Sequence, residues 1–210
     1  MSESWVPYVE EGLKQYLSRV EEILNSRDLV REELIKTGRE VVRMSGYVVT
    51  NIHTDRWGEV EANLSRLMGS YRKLRETLKR HPCYEYSNLV VDLVSEYVEA
   101  LVLYHLVRNH RLATPEELEV DHVPYLLGLL EVVGELKRYV LKLLSEERLE
   151  EAQEFFNVME VIYEHLQHLD YPDAVLPNVR RKVDIARGVT ESLRSFVTDV
   201  MLRYKLVRKC

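Results

Sequence analysis

The stretch VVDLVSEYVEALVLYHLV, residues 90–107, sets the tightest condition on how this 210-residue chain can fold. Apart from Asp92, Ser95, Glu96 and Glu99, its residues are aliphatic, Tyr or Ala until His105. At about 100° per residue, those four polar positions fall within about 100° of one another on one side of a helix. A cylinder that is apolar everywhere else needs neighbours everywhere else. The segment therefore predicts a helix almost engulfed by other helices, with one narrow acidic seam left over.

The rest of the chain supplies those neighbours. Runs of period 3.6 follow one another with brief interruptions, six Pro and eight Gly are scattered among them, and no strand-like alternation competes. The spacing predicts an all-α, seven-helix bundle forming a single domain over residues 1–210. Helices are expected over 6–26, with Val9, Leu13, Tyr16, Leu17, Val20 and Leu24 on one stripe, and over 28–52, 55–80, 85–110, 121–145, 147–169 and 178–206. Asp55 is a candidate N-cap, His81-Pro82 a stop, and Thr114-Pro115-Glu116-Glu117 a capped turn. The segment LDYPDAVLPNV, with two prolines, is an extended connector. No repeat of solenoid length is present.

Charge is segregated along the chain although the formal total is only −6. Residues 27–82 hold 12 basic against 8 acidic side chains, residues 83–170 hold 6 against 18, and residues 171–210 hold 9 against 4. An acidic middle flanked by basic segments suits cations at the centre and phosphates around it; solvated faces of mixed sign are the alternative. Two cysteines, no signal segment and no uncharged apolar run of membrane-spanning length predict a cytoplasmic chain without a membrane partner.

The segment YLLGLLEVVGELKRYVLKLL, residues 125–144, answers the acidic seam. Among its polar residues, Glu131, Glu135, Arg138 and Lys142 are spaced 4, 3 and 4 apart and line one stripe, flanked by Gly128 and Gly134, where a backbone or ligand can come close. Carboxylates packed at such spacing repel, and burying them without a counter-charge is costly. A divalent cation removes that cost, and an all-oxygen donor set suits Mg²⁺ or Mn²⁺ rather than tetrahedral Zn²⁺. The competing reading makes both stripes ordinary solvated faces, with Glu135 and Arg138 an i,i+3 pair.

Lys36, Arg39 and Arg43 share one stripe of the 28–52 segment with Tyr47 a turn further on, a pattern suited to phosphates and a stacked base, or to a plain solvated face. His165 and His168, at i and i+3, fit surface histidines better than metal ligands. No Gly-rich phosphate loop, Gly-x-Ser-x-Gly elbow or Cys with a predictable His partner occurs, so nucleophilic catalysis through a side chain is not expected.

EYVEA at 96–100, VPYLLGLLEVVGELKR at 123–138 and LDYPDAVLPNVRRKVDIARG at 169–188 resemble the translin superfamily, and the first of these resembles its Trax-like branch. The similarity covers about residues 30–205. What the resemblance implies is a seven-helix fold that assembles into homo-oligomers, including closed shells, and binds single-stranded RNA or DNA. On the Trax side it also implies a metal-dependent endoribonuclease with an acidic active site. Glu96, Glu99 and Glu135 fall on acidic positions of the Trax motifs, while Glu131 stands where Trax proteins usually carry Asp. The combined expectation is catalysis and Mg²⁺ or Mn²⁺ binding by Glu96, Glu99, Glu131 and Glu135, with Lys36, Arg39, Arg43, Arg138 and Lys142 on the nucleic acid. The alternatives are a non-catalytic translin-type subunit that binds single strands, and an assembly subunit with no ligand of its own.

Overall fold

Apolar stripes, closed off at a few places by short-range caps, fix the helices in the computed structural model, which describes residues 4–207. They are α1 Val6–His53, α2 Trp57–Arg80, a 3-10 turn Pro82–Tyr84, α3 Asn88–Asn109, α4 Pro115–Leu118, α5 His122–Ser145, α6 Leu149–Leu166 and α7 Val179–Val207. No strand occurs among the described residues. Ser87 caps α3 by accepting the Val90 N–H, Asp121 caps α5 by accepting the Val123 N–H, and Thr114 with Glu117 forms a complete capping box around α4.

Two local expectations are corrected. The helices expected over 6–26 and 28–52 are one 48-residue helix, and the total of seven α-helices among the described residues is reached because the capped turn at 115–118 is itself helical. The polar run Asn25-Ser26-Arg27-Asp28 reads as a break because such residues favour caps. Continuing the helix through them costs only a few tenths of a kcal/mol each, whereas a break orphans several backbone groups. Asp55 does not cap α2; it has φ 55°, and Arg56 takes the N-cap position.

The bundle is built outward from α3 and α5, which pack along each other; α1 lies on α3, α2 on α1, and α6 and α7 on α5. The α3 stretch meets its expectation, with Val98, Ala100, Val102 and Leu103 wholly buried and only the acidic side and the ends reaching water. Tyr71 of α2 stacks on Tyr97 of α3 with ring centroids 3.8 Å apart and donates its hydroxyl to the Glu119 carbonyl at 2.9 Å. Helix α1 joins the core only in its second half. Leu34 is its first buried residue, and Tyr84 donates to the Arg27 carbonyl at 3.1 Å close to where the helix leaves the bundle. Residues 6–29, about 36 Å of helix, expose Val9, Leu13, Tyr16, Leu17, Ile23 and Leu24.

Candidate metal centre

The site begins with a glycine. A Cβ at Gly128 of α5 would lie 2.6 Å from Val98 Cγ1 and 2.8 Å from the Ser95 carbonyl oxygen of α3, so the two helices meet there backbone to side chain with no room for a methyl group. Three residues on along α5 stands Glu131; one and four residues on from Ser95 along α3 stand Glu96 and Glu99. The close crossing therefore carries three carboxylates to one place, where one oxygen of each lies within 4.8 Å of the others. Gly134 does not share this role: a Cβ there meets nothing within 4 Å.

Helix α7 closes the cluster. Val179, Val183 and Ala186 anchor its buried stripe, and Lys182, on the edge of that stripe, donates from Nζ to Glu131 Oε1. One ammonium against three carboxylates leaves the charge unbalanced. Glu131 Oε2 is buried without a hydrogen-bond partner. Burial, reinforced by Glu131 and Glu96, pushes the Glu99 carboxyl up to about 8, and burial with Glu131 raises Glu96 as well; Lys182 opposes both shifts.

Glu135 lies one turn beyond and is treated differently. Burial works to raise its pKa, but hydrogen bonds from His53 at 2.6 Å and from Arg138 at 2.9 and 3.0 Å outweigh it and hold the carboxyl below its ordinary range. Its field still reaches Glu96 and Glu99. Of the four glutamates expected to share a point, three do so, and the fourth is clamped beside them.

The basic candidates divide in the same way. Arg138 is spent on Glu135, though its side chain stays 60% exposed, while Lys142 lies over the Tyr139 ring and bonds Asp55 Oδ2 at 2.5 Å. Arg43 pairs with Glu40, whereas Lys36 and Arg39 are exposed and have no ion-pair partner among the described residues. Tyr47 is exposed beside them. His165 bonds the Val161 carbonyl of its own helix. Lys182 and His53 were missed by sequence reasoning: each approaches the acids from another helix, and spacing within one helix carries no sign of that. The basic run Arg180-Arg181-Lys182 inside the third motif was the one available hint.

The family model described as Translin family matches residues 29–203. An uncharacterized protein of Methanocaldococcus jannaschii is 34% identical over 191 residues, spanning 88% of this chain and 84% of that protein. Among solved structures, AfC3PO superposes with TM-score 0.77 at 30% identity, covering 90% of this chain and 98% of its own. A complex of AfC3PO with duplex RNA superposes with TM-score 0.77 at 29% identity, covering 90% and 97%. Apo-NeC3PO, at 22% identity, shares the fold with TM-score 0.77, covering 88% and 96%.

Proposed function

The chain belongs to the Translin family, and from that premise we propose that it is a Trax-like, Mg²⁺- or Mn²⁺-dependent endoribonuclease acting on single-stranded RNA. The observation that carries the reading is the convergence of Glu96, Glu99 and Glu131 within 4.8 Å, on two helices that a glycine lets approach. The donor set fits a hard cation. It is all oxygen, and it contains one buried oxygen with no partner. Glu96, Glu99 and Glu131 would hold the cation. When bound, it would supply an activated water and charge stabilisation at the phosphate.

The chain's own groups do the rest. Glu135, kept ionised by His53 and Arg138, adds negative field at the edge of the cluster without competing for its centre. Arg138, held in place by Glu135 yet largely exposed, offers its outer guanidinium edge to a phosphate. Lys36 and Arg39, with Tyr47 nearby, are free to grip the strand at a distance. The RNA in the AfC3PO complex supports RNA as the ligand class.

Assembly is part of the same reading, with a second copy of this chain as the partner. The exposed first half of α1 carries 5 acidic against 3 basic residues over 6–29, whereas α7 carries 7 basic against 3 acidic and exposes Ile185, Phe196 and Leu202. No described helix is long and apolar enough to cross a membrane, and the proposed setting is the cytoplasm.

The test is incubation of the purified chain with end-labelled single-stranded RNA in Mn²⁺ or EDTA, read on a denaturing gel. Cleavage in Mn²⁺ that drops at least about a hundredfold in Glu99→Ala, with unchanged size-exclusion elution, is expected. Wild-type cleavage rates in that variant would remove the cluster from the chemistry. Salt-dependent RNA binding with no metal-stimulated turnover would favour the non-catalytic reading.

A further inference from the structure

Lys182 stands in an unusual place for a cation. It lies in the first turn of α7, directly after Arg180 and Arg181, where the positive end of a helix dipole disfavours basic side chains. Arg180 and Arg181 are exposed, and Arg180 has Asp170 at 3.7 Å. Lys182 instead turns inward, half-buried, and its ammonium meets one oxygen of Glu131. The other oxygen of that carboxylate is the orphan of the cluster. The same ammonium acts favourably on Glu96 and Glu99, so its charge is felt by all three acids. Among the described residues no other Lys or Arg pairs with Glu96, Glu99 or Glu131; Arg138 reaches only Glu135.

We infer that Lys182 is the resident counter-ion of the carboxylate cluster: its ammonium holds one oxygen of Glu131 beside the free oxygen that would face a divalent cation, and metal binding proceeds by displacing that ammonium. The inference rests on the proposed metal site and adds to it a competitor built into the fold. An ammonium and a divalent cation on the two oxygens of one carboxylate lie only a few Å apart and repel strongly in a half-buried setting. The consequence is a site whose metal affinity is held down by α7, the element joined to α6 by the Pro172–Pro177 connector. The displaced ammonium, on a four-carbon stem and next to Arg180 and Arg181, is left at the rim of the cluster, where a phosphate bound to the cation would meet it.

The experiment is Mn²⁺ binding by isothermal titration to the full chain as wild type, Lys182→Met and Lys182→Arg, with thermal melts of each in EDTA and in Mn²⁺. Removing a competing charge predicts that Lys182→Met binds Mn²⁺ about tenfold more tightly than wild type. It also melts lower in EDTA and recovers that loss in Mn²⁺, while Lys182→Arg, which keeps the charge, stays near wild type. A residue that merely braced the helices would weaken metal binding on removal. Equal or weaker Mn²⁺ affinity in Lys182→Met therefore overturns the inference while leaving the site standing. Absence of saturable Mn²⁺ binding in both proteins overturns the site and the inference together. Should Lys182→Met fail to fold, acetylation of the wild-type Lys182 amine followed by mass spectrometry decides the matter. Labelling several-fold faster in Mn²⁺ than in EDTA supports displacement, and equal rates contradict it.

Discussion

The α3–α5 crossing and the first half of α1 invert the usual rule in opposite directions. At the crossing, three carboxylates are drawn into the bundle; along α1, about half a dozen large apolar side chains stand in water. Each is costly for an isolated chain, and each names what would relieve it. Surplus buried negative charge calls for a cation, because one lysine leaves Glu131 Oε2 orphaned and Glu99 half-titrated at about pH 8. An amphipathic helix without a core calls for another protein surface. In the proposed reading, chemistry and assembly are thereby separated along the chain, one held between packed helices and the other left outside the core.

The contrast can be broken hardest at Gly128. Gly128→Ala places a methyl group 2.8 Å from the Ser95 carbonyl, which cannot yield as a side chain would, and is expected to cost about 1–3 kcal/mol in denaturant melts. It should also weaken Mn²⁺ binding by parting the carboxylates. Stability and metal affinity that both match wild type would separate the crossing from the site.

A pH scan of the metal-free chain sharpens the electrostatic half. A carboxyl raised in the folded state keeps its proton while the unfolded chain releases it, so the stability due to Glu99 falls as pH rises from about 4.5 to about 8 and is level above that. Glu135, lowered in the folded state, acts oppositely and loses its contribution as pH drops below the ordinary carboxylate value. In EDTA, Glu99→Gln is expected to flatten the decline between pH 5 and 8, and an unchanged slope would count against burial of that group.

Gly134 serves as the control for Gly128. With nothing within 4 Å of an added Cβ, Gly134→Ala should stabilise by up to about 1 kcal/mol through helix propensity alone, as a thermal melt would show. The smallest effect on chain stability is expected on the arm. Leu13→Asp with Leu17→Asp changes two exposed side chains outside the core and should alter the stability by no more than about 0.5 kcal/mol, yet lower the mass measured by light scattering. An unchanged assembly mass would release the arm from self-association.

Much of this architecture is legible in the residues. A nearly all-apolar helix with one polar line can only be central, and the matching 4-3-4 spacing on α5 marks its partner before any coordinates are known. What escapes such reading is whatever depends on a third helix. Spacing along α5 does offer the Glu135–Arg138 pair, but it cannot say that Lys182 comes to Glu131, that His53 joins Arg138 on Glu135, or that Lys142 is taken by Asp55. Gly128 and Gly134 look alike in sequence, and only the packing of Val98 against the first tells them apart. The fused α1 was hidden by the polar run at 25–28, where cap-forming side chains signal a break that uninterrupted backbone hydrogen bonding overrides.

The claim beneath all of this is that α3 and α5 hold one cation between them. Diffraction from crystals of the full chain soaked in Mn²⁺, collected at the manganese edge, tests it directly. The account predicts an anomalous peak bound at about 2.1–2.3 Å by oxygens of Glu96, Glu99 and Glu131, with the Lys182 ammonium withdrawn from Glu131. Manganese found only on exposed carboxylates, with the three glutamates and Lys182 unmoved, would contradict it.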